Sequence, residues 1–482
     1  MQRVFRCLVI CRPFVKGNVA SVRFSTSVTY RDVSPDSCFK PDYQPISNFY
    51  AGKSVFITGA TGFIGRLMIE RLLFTCKDIE KVYVLIREKK NASIHQRLEE
   101  ILSNPIFTKL KHTRPQDLRK VVPIAGDIAD PELGIKCDDE QTLIDKVSVV
   151  FHSAAQVKFT VPTSEHLRIN YEGTKKVLEL GKKIKNLDVF VHVSTAFSNS
   201  YNVIEEMPYP PPKEIDDVYR IIKTNDPKEI RKLLDFHGNS YTFSKKMVEA
   251  YVVNNHGNMP TIIVRPSMVT SVYKEPLTGH TDSWVAVTTL LCDVSRGLTR
   301  VLYGDKHVVV DIIPVDYVCN FLIIAAARSS GTHKCNVYNI ATSHMNPIRW
   351  DKLSDLYIKE GNKNNSAIIP FPAVYFTQAK WMIPILRFAQ IIPTYIADAW
   401  LRFLGKEPRY TKLVKSAIAR SNFGTPVTNT SWLIKTARAQ ELISTLDDKD
   451  KTTYPCDPTT IDWDKYVPIY SKGVKDYMLD KK

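Results

Sequence analysis

The chain has 482 residues and nine cysteines, at positions 7, 11, 38, 76, 137, 292, 319, 335 and 456, yet no CxxC pair. Cysteines scattered in this way read as reduced thiols of an intracellular protein. Zinc-finger spacing is absent, and so is any basic run interleaved with aromatics. Nucleic acid therefore ranks last among the polyanions that a net charge of +16 could attract, behind phosphorylated cofactors and a membrane surface. No Ser-His-Asp order, no metal-ligand cluster and no Walker lysine competes for the chemistry. Long apolar runs are missing too. The most apolar stretch, 381–405, is interrupted by Pro384, Arg387, Pro393, Asp398 and Arg402, so it holds no clean run of the roughly 18 residues a membrane span needs.

Acid is missing from the first 31 residues, which carry Arg3, Arg6, Arg12, Lys16, Arg23 and Arg31, with Ser and Thr clustered at 21–28. This basic leader, taken as residues 1–50, has the composition of a mitochondrial presequence. A basic leader that nothing imports is the competing reading.

Against these absences stands one dense signal. Ser54–Leu73 reads SVFITGATGFIGRLMIERLL, a short β-branched strand, then Gly59-x-x-Gly62-x-x-Gly65, then an apolar helix. Gly59 permits a tight turn, Gly62 lets backbone approach a pyrophosphate, and Gly65 lets the helix pack closely on the strand. The helix N-terminus adds unpaired N–H groups and a partial positive charge. Thr58, Thr61, Phe63 and Ile64 complete the turn. From Lys53 to Pro266, strands apolar nearly throughout (81–87, 121–128, 147–155, 189–195 and 261–266) alternate with helical stretches such as 165–185 and 241–254. That pattern predicts an α/β fold with a doubly wound parallel sheet over 51–345 and the ligand beyond the strands' carboxyl ends. An acidic, proline-rich insertion at 205–236 breaks the alternation, as a lid or as a plain surface excursion. Beyond 345 a smaller, mainly helical C-terminal domain (346–482) is expected. Its 381–405 segment is read as membrane-resting or as a wall of a lipid tunnel, with a buried helix pair as the alternative.

The second strand ends LIREKK, with Arg87 followed by Glu88, Lys89 and Lys90. Dinucleotide folds that take NAD place an acid there for the ribose 2′-hydroxyl; a guanidinium pairs with a 2′-phosphate, so NADPH is expected, although Glu88 could reach a hydroxyl. Asp127 and Ile128, ending the third strand, fall near the adenine; an N-cap is the alternative for Asp127. For proton donation, Tyr-x-x-x-Lys on a helix would lower the phenol pKa and hold the nicotinamide ribose. The pattern occurs at Tyr171, Tyr209, Tyr219, Tyr241 and Tyr477. Only Tyr241/Lys245 lies on the helix directly before the strand at 261–266, 16 residues ahead of it. Ser194 and Thr195, ending the strand upstream, offer hydroxyls to a substrate carbonyl. His152 is expected to pack beside the cofactor groove and not to act as a base.

TGATGFIG, GDIADPELG, FHSAAQVKF, NYEGTKKVLEL, HVSTAFSN, YTFSKKMVEA and RPSMVTSVYKEPLTGHTDSW together resemble the alcohol-forming fatty acyl-CoA reductases of the extended short-chain dehydrogenase/reductase superfamily. The likeness continues through NVYNIATSHMNPIRWDKL and the tail IDWDKYVPIYSKGVKDYML, from about residue 50 onward. It implies a Rossmann domain binding NADPH, with reduction of long-chain acyl-CoA to a primary alcohol through an aldehyde, on peroxisomal or endoplasmic reticulum membranes. The leader lies outside the resemblance and keeps a mitochondrial location as the alternative. A reductase of a steroid or other small carbonyl, and a catalytically silent NADPH-binding scaffold, remain the competing functions.

Overall fold

Short β-branched segments that are buried on both faces form the centre of the molecule. The computed structural model describes residues 44–480 apart from 89–91, 200, 225, 235–238 and 285. Seven strands make one parallel sheet: β1 (Ser54–Thr58), β2 (Lys81–Ile86), β3 (Val121–Ala125), β4 (Val147–His152), β5 (Val189–Val193), β6 (Thr261–Pro266) and β7 (Cys335–Ile340). Their order across the sheet is β7-β6-β5-β4-β1-β2-β3. The winding direction reverses between β1 and β4, which opens a crevice at their carboxyl ends. Successive side chains serve opposite faces. Val55 and Ile57 of β1 join one core cluster while Phe56 joins the other, and Phe190 and Ile263 likewise part from their strand neighbours.

The first face is covered by α1 (Phe63–Thr75) and by a helix over Val315–Arg328 whose every residue is buried. A helix apolar nearly all round belongs inside. The second face is covered by α2 (Gly173–Lys183), entered through a π-helical stretch at Leu167–Glu172, and by α3 (Ser240–Asn255). The five strands expected after the glycine turn are all present. The seventh, β7, was not foreseen; it pairs in register with β6 after a long helical crossover. The sheet thus bears out the doubly wound expectation and extends it by one edge strand.

In the insertion, helices at Ile215–Thr224 and Pro227–Leu234 lay Ile215, Val218, Ile222, Leu233 and Leu234 on the second-face cluster. The Tyr219 hydroxyl donates to Glu172.

The C-terminal region is mainly helical, with α4 (Trp350–Lys363), α5 (Met382–Phe403), α6 (Tyr410–Phe423) and α7 (Trp463–Val474). It is threaded into the sheet region: Tyr375–Thr377 pairs with Val301–Tyr303, and Leu433–Ile434 with Val203–Ile204. On α7, the Tyr466 hydroxyl lies 2.6 Å from Thr270 Oγ1 and donates to the Ser271 carbonyl at 2.9 Å. A Cβ on Gly473 would stand 1.8 Å from the Gly279 carbonyl oxygen, so α7 meets the chain after β6 backbone to backbone.

Helix α5 has its polarity turned around. Gln390 donates to the Leu298 carbonyl at 2.7 Å, and Asp398 accepts the N–H groups of Arg409, Tyr410 and Thr411 at 2.9 Å each, capping α6. Ile385, Phe388, Ile396, Trp400 and Phe403 are 59–79% exposed. Among the described residues no helix is long and apolar enough to cross a membrane. The basic leader up to residue 43, with Lys89 and Lys90, lies outside the described residues.

Candidate active site

The glycine turn follows β1 at the point where the winding reverses. Gly59 adopts φ +78°, and a Cβ on it would stand 2.7 Å from the Ala154 backbone nitrogen. A Cβ on Gly65 would be 2.2 Å from the Gly59 carbonyl, so α1 can leave the turn this closely only with glycine there. Gly62 caps α1 and donates to the Gly59 carbonyl at 2.9 Å. Thr61 and Gly62 are exposed, while Phe63 and Ile64 are half-buried as the helix begins. The narrow turn, bare backbone and helix N-terminus fit a pyrophosphate.

From this turn a chain of buried hydrogen bonds runs to α3. Thr58 Oγ1 lies 2.7 Å from His152 Nδ1, and His152 Nε2 lies 2.8 Å from Thr174 Oγ1. The Thr174 hydroxyl donates to the Asn170 carbonyl at 2.6 Å. Its oxygen therefore accepts from His152 Nε2–H, which leaves Nδ1 to accept from Thr58. Asn170 Nδ2 donates to Ser244 Oγ at 2.9 Å, and Ser244 donates to the Tyr241 carbonyl at 2.8 Å. Burial and the Lys245 charge push the His152 pKa down to about 3. His152 is a neutral strut between turn and helix.

Tyr241, Lys245 and Glu249 fall on one face of α3, spaced by four. Lys245 Nζ donates to the Val193 carbonyl at 2.8 Å, fixing the helix on the end of β5. Burial lowers its pKa to about 8, with Glu249 opposing. The Tyr241 phenol is raised above its ordinary value by burial and by the Glu249 charge. This corrects the expected lowering by the lysine. The Tyr241 ring lies 6.1 Å from that of Phe159 and 6.4 Å from that of His166.

Sequence reasoning missed Glu249 and Arg265. Arg265 of β6 pairs with the Glu249 carboxylate at 2.7 Å, both almost wholly buried. The carboxylate also accepts from Ser198 at 3.1 Å and from Ser194. The Ser194 proton is thereby committed to Glu249. Thr195 Oγ1 instead accepts from the Phe197 N–H at 3.3 Å and keeps its own proton. The available signal was the second i+4 step from Tyr241 together with a lone arginine in an apolar strand. The other Tyr-x-x-x-Lys tyrosines sit elsewhere: Tyr171 stacks edge-on with Tyr251, Tyr209 accepts the Glu205 N–H at 2.8 Å, Tyr219 donates to Glu172, and Tyr477 meets His280.

At the ends of β2 and β3, Arg87 lies 3.4 Å from the Asp127 carboxylate and is 64% exposed. Asp127 also accepts the Ala129 N–H at 3.0 Å, a local turn contact and not the helix N-cap weighed as its alternative role. Ile128 is buried against Gly173.

A reversed parallel sheet with this turn, and a Tyr/Lys helix laid on the next strand's end, defines an NAD(P)-binding oxidoreductase of the extended short-chain type. The family described as male sterility protein matches residues 57–322 with its NAD-binding part and 389–481 with its C-terminal part. A Drosophila melanogaster relative is 35% identical over 452 residues, covering 90% of this chain and 87% of its own. Fatty acyl-CoA reductase 1 of Xenopus laevis is 33% identical over 447 residues, covering 90% and 86%. With these matches, the chain belongs to the male sterility protein family, that of the fatty acyl-CoA reductases. Among solved structures, the terminal R domain of the myxalamid biosynthetic pathway shares the fold, with a TM-score of 0.60, 18% identity, and coverage of 89% and 92%.

Glu249→Ala would leave Arg265 buried without its carboxylate and should destabilise the protein by about 3–5 kcal/mol. Glu249→Gln, which keeps the shape, should cost less. Urea unfolding of both variants checks this; equal, small losses would show that the pair carries no such energy.

Proposed function

We propose that this protein reduces long-chain acyl-CoA to the primary alcohol with NADPH, passing through the aldehyde and releasing CoA. The observation that carries the reading is the division of labour at the end of β5. Ser194 is bound to Glu249, and Lys245 to the strand carbonyl, which leaves the Thr195 hydroxyl and the Tyr241 phenol as proton-bearing donors. When bound, NADPH supplies the hydride, and two molecules are needed in succession: one would take the thioester to the aldehyde with loss of the CoA thiolate, the second the aldehyde to the alcohol. Thr195 donates a hydrogen bond to the carbonyl oxygen and so stabilises the charge that develops there. Tyr241 transfers its proton to the alkoxide, and the Lys245 ammonium one turn along stabilises the resulting phenolate. The raised phenol pKa keeps Tyr241 protonated and ready before each transfer. Arg87, exposed and only loosely paired with Asp127, supports NADPH over NADH, since its fork matches a 2′-phosphate.

The outward apolar face of α5 supports residence on a membrane surface, peroxisomal or endoplasmic reticulum as for the family. A helix that turns Phe388, Trp400 and Phe403 to solvent and its carboxylate inward can bury that face at the headgroup boundary without spanning the bilayer. A small-carbonyl reductase has no use for such a face.

Purified protein given palmitoyl-CoA and NADPH should release hexadecanol, with NADH a poorer donor and Arg87→Ala erasing the difference. Tyr241→Phe should abolish turnover and keep NADPH binding. No alcohol or aldehyde at any chain length would sink the reading. Because Lys245 titrates at about 8, below its ordinary 10.5, its ammonium is full below that pH and lost above it. Thus kcat/KM should fall as pH rises through about 8, and a flat profile would exclude an essential ammonium. Replacing Phe388, Ile396 and Phe403 together by Glu should abolish flotation with phospholipid vesicles while leaving the thermal midpoint unchanged; undiminished flotation would remove the membrane face.

A further inference from the structure

Arg66 stands one residue past the third glycine, in the first turn of α1. Its Nη1 donates to the Thr61 carbonyl at 2.5 Å, which lays the guanidinium against the phosphate turn. Its Nη2 donates to the carboxylate of Asp282. The two side chains are 20% and 9% exposed, so water screens the pair far less than a surface pair. The second carboxylate oxygen of Asp282 is buried without a hydrogen-bond partner.

Asp282 belongs to the chain that returns from β6 over the glycine turn. The His280 ring is 6.3 Å from that of Phe63, the first residue of α1, and 4.8 Å from that of Tyr477. Gly279 is pressed against Gly473 of α7. The stretch is therefore held at one end by the C-terminal region and fastened at the other, through Asp282, to the cation of the phosphate turn. An anion site made by a helix N-terminus and a guanidinium here has an internal carboxylate bound to that guanidinium.

We propose that Arg66 is a phosphate contact of the dinucleotide and that Asp282 is its built-in competitor, so that dinucleotide binding unfastens residues 277–284 from the glycine turn. This rests on the dinucleotide reading above. A pyrophosphate brings two negative charges where Asp282 brings one, and it offers oxygens that match the guanidinium fork. Whatever free energy Arg66–Asp282 contributes to holding the stretch down opposes cofactor binding by the same amount.

The test is NADPH titration of the full chain by fluorescence, with hydrogen exchange of the 277–284 amides followed in parallel. Asp282→Asn should tighten NADPH binding by about fivefold. Arg66→Gln should weaken it by about tenfold or more, and the double variant should bind no better than Arg66→Gln alone, because competition requires the arginine. NADPH should speed exchange at 277–284 in the wild type, and Asp282→Asn should exchange fast without it. Binding by Asp282→Asn no tighter than wild type, or slower exchange in the wild type on adding NADPH, overturns the proposal. The exchange arm needs only the wild-type chain, so it decides the matter even where a substitution does not fold. Failure of the wild type to bind either NADPH or NADH would overturn the dinucleotide reading itself, whereas binding without loop release overturns this proposal and leaves that reading intact.

Discussion

A carboxylate sealed between a helix and a parallel sheet is costly unless its surroundings neutralise it, and the Glu249 side chain shows how completely that can be done. Arg265 supplies the opposite charge from β6, and the hydroxyls of Ser194 and Ser198 complete the shell from the end of β5. Two further buried cations, Lys245 and Lys246, feel the same negative charge, which keeps their pKa values above where burial alone would drive them. Once Glu249 is fixed, the turns of α3 before it are fixed as well. Lys245 lands on the Val193 carbonyl and Tyr241 lies one turn beyond. Reach and protonation of the reacting groups thus depend on a carboxylate that need touch no substrate.

What the sequence made legible was local. The glycine spacing, the doubly apolar strands and the Tyr241/Lys245 spacing each depend on residues close in the chain; in the structure the glycine turn follows β1, and Lys245 meets the end of β5. What it hid was non-local. The strand at Cys335–Ile340 has only two aliphatics, Val337 and Ile340, among cysteine, asparagine and tyrosine, and its partner β6 lies some seventy residues upstream, so no neighbouring pattern marks it. The choice between Ser194 and Thr195 turns on Glu249, which is 55 residues from Ser194. The direction of the Tyr241 shift turns on burial, which spacing alone does not report. The roles given to Tyr241, Lys245, Thr195 and Arg87 remain proposals built on that geometry.

The 381–405 segment shows the same limit in another form. Composition described it as apolar with polar interruptions, which suits a buried helix and a surface-lying one equally. The deciding fact is which side the interruptions face. Gln390 and Asp398 are both engaged inward, by Leu298 and by the α6 N-terminus, so the apolar side is left to solvent. Asp398, which breaks the hydrophobic run, also anchors the helix to α6.

Arg265 does one more thing besides neutralising Glu249. It also donates to the carbonyls of Glu205 and Met207, at 3.1 Å each, while Tyr209 takes the Glu205 N–H. The insertion is therefore nailed down at its first residues, and its far end re-enters through the Asn239 cap of α3. Between these two anchors the insertion closes the core instead of looping away from it: Val218 is sealed in the cluster that also holds Phe243 and Met247 of α3. A change of packing in the insertion would therefore reach the helix that carries Tyr241 and Lys245 from its far side.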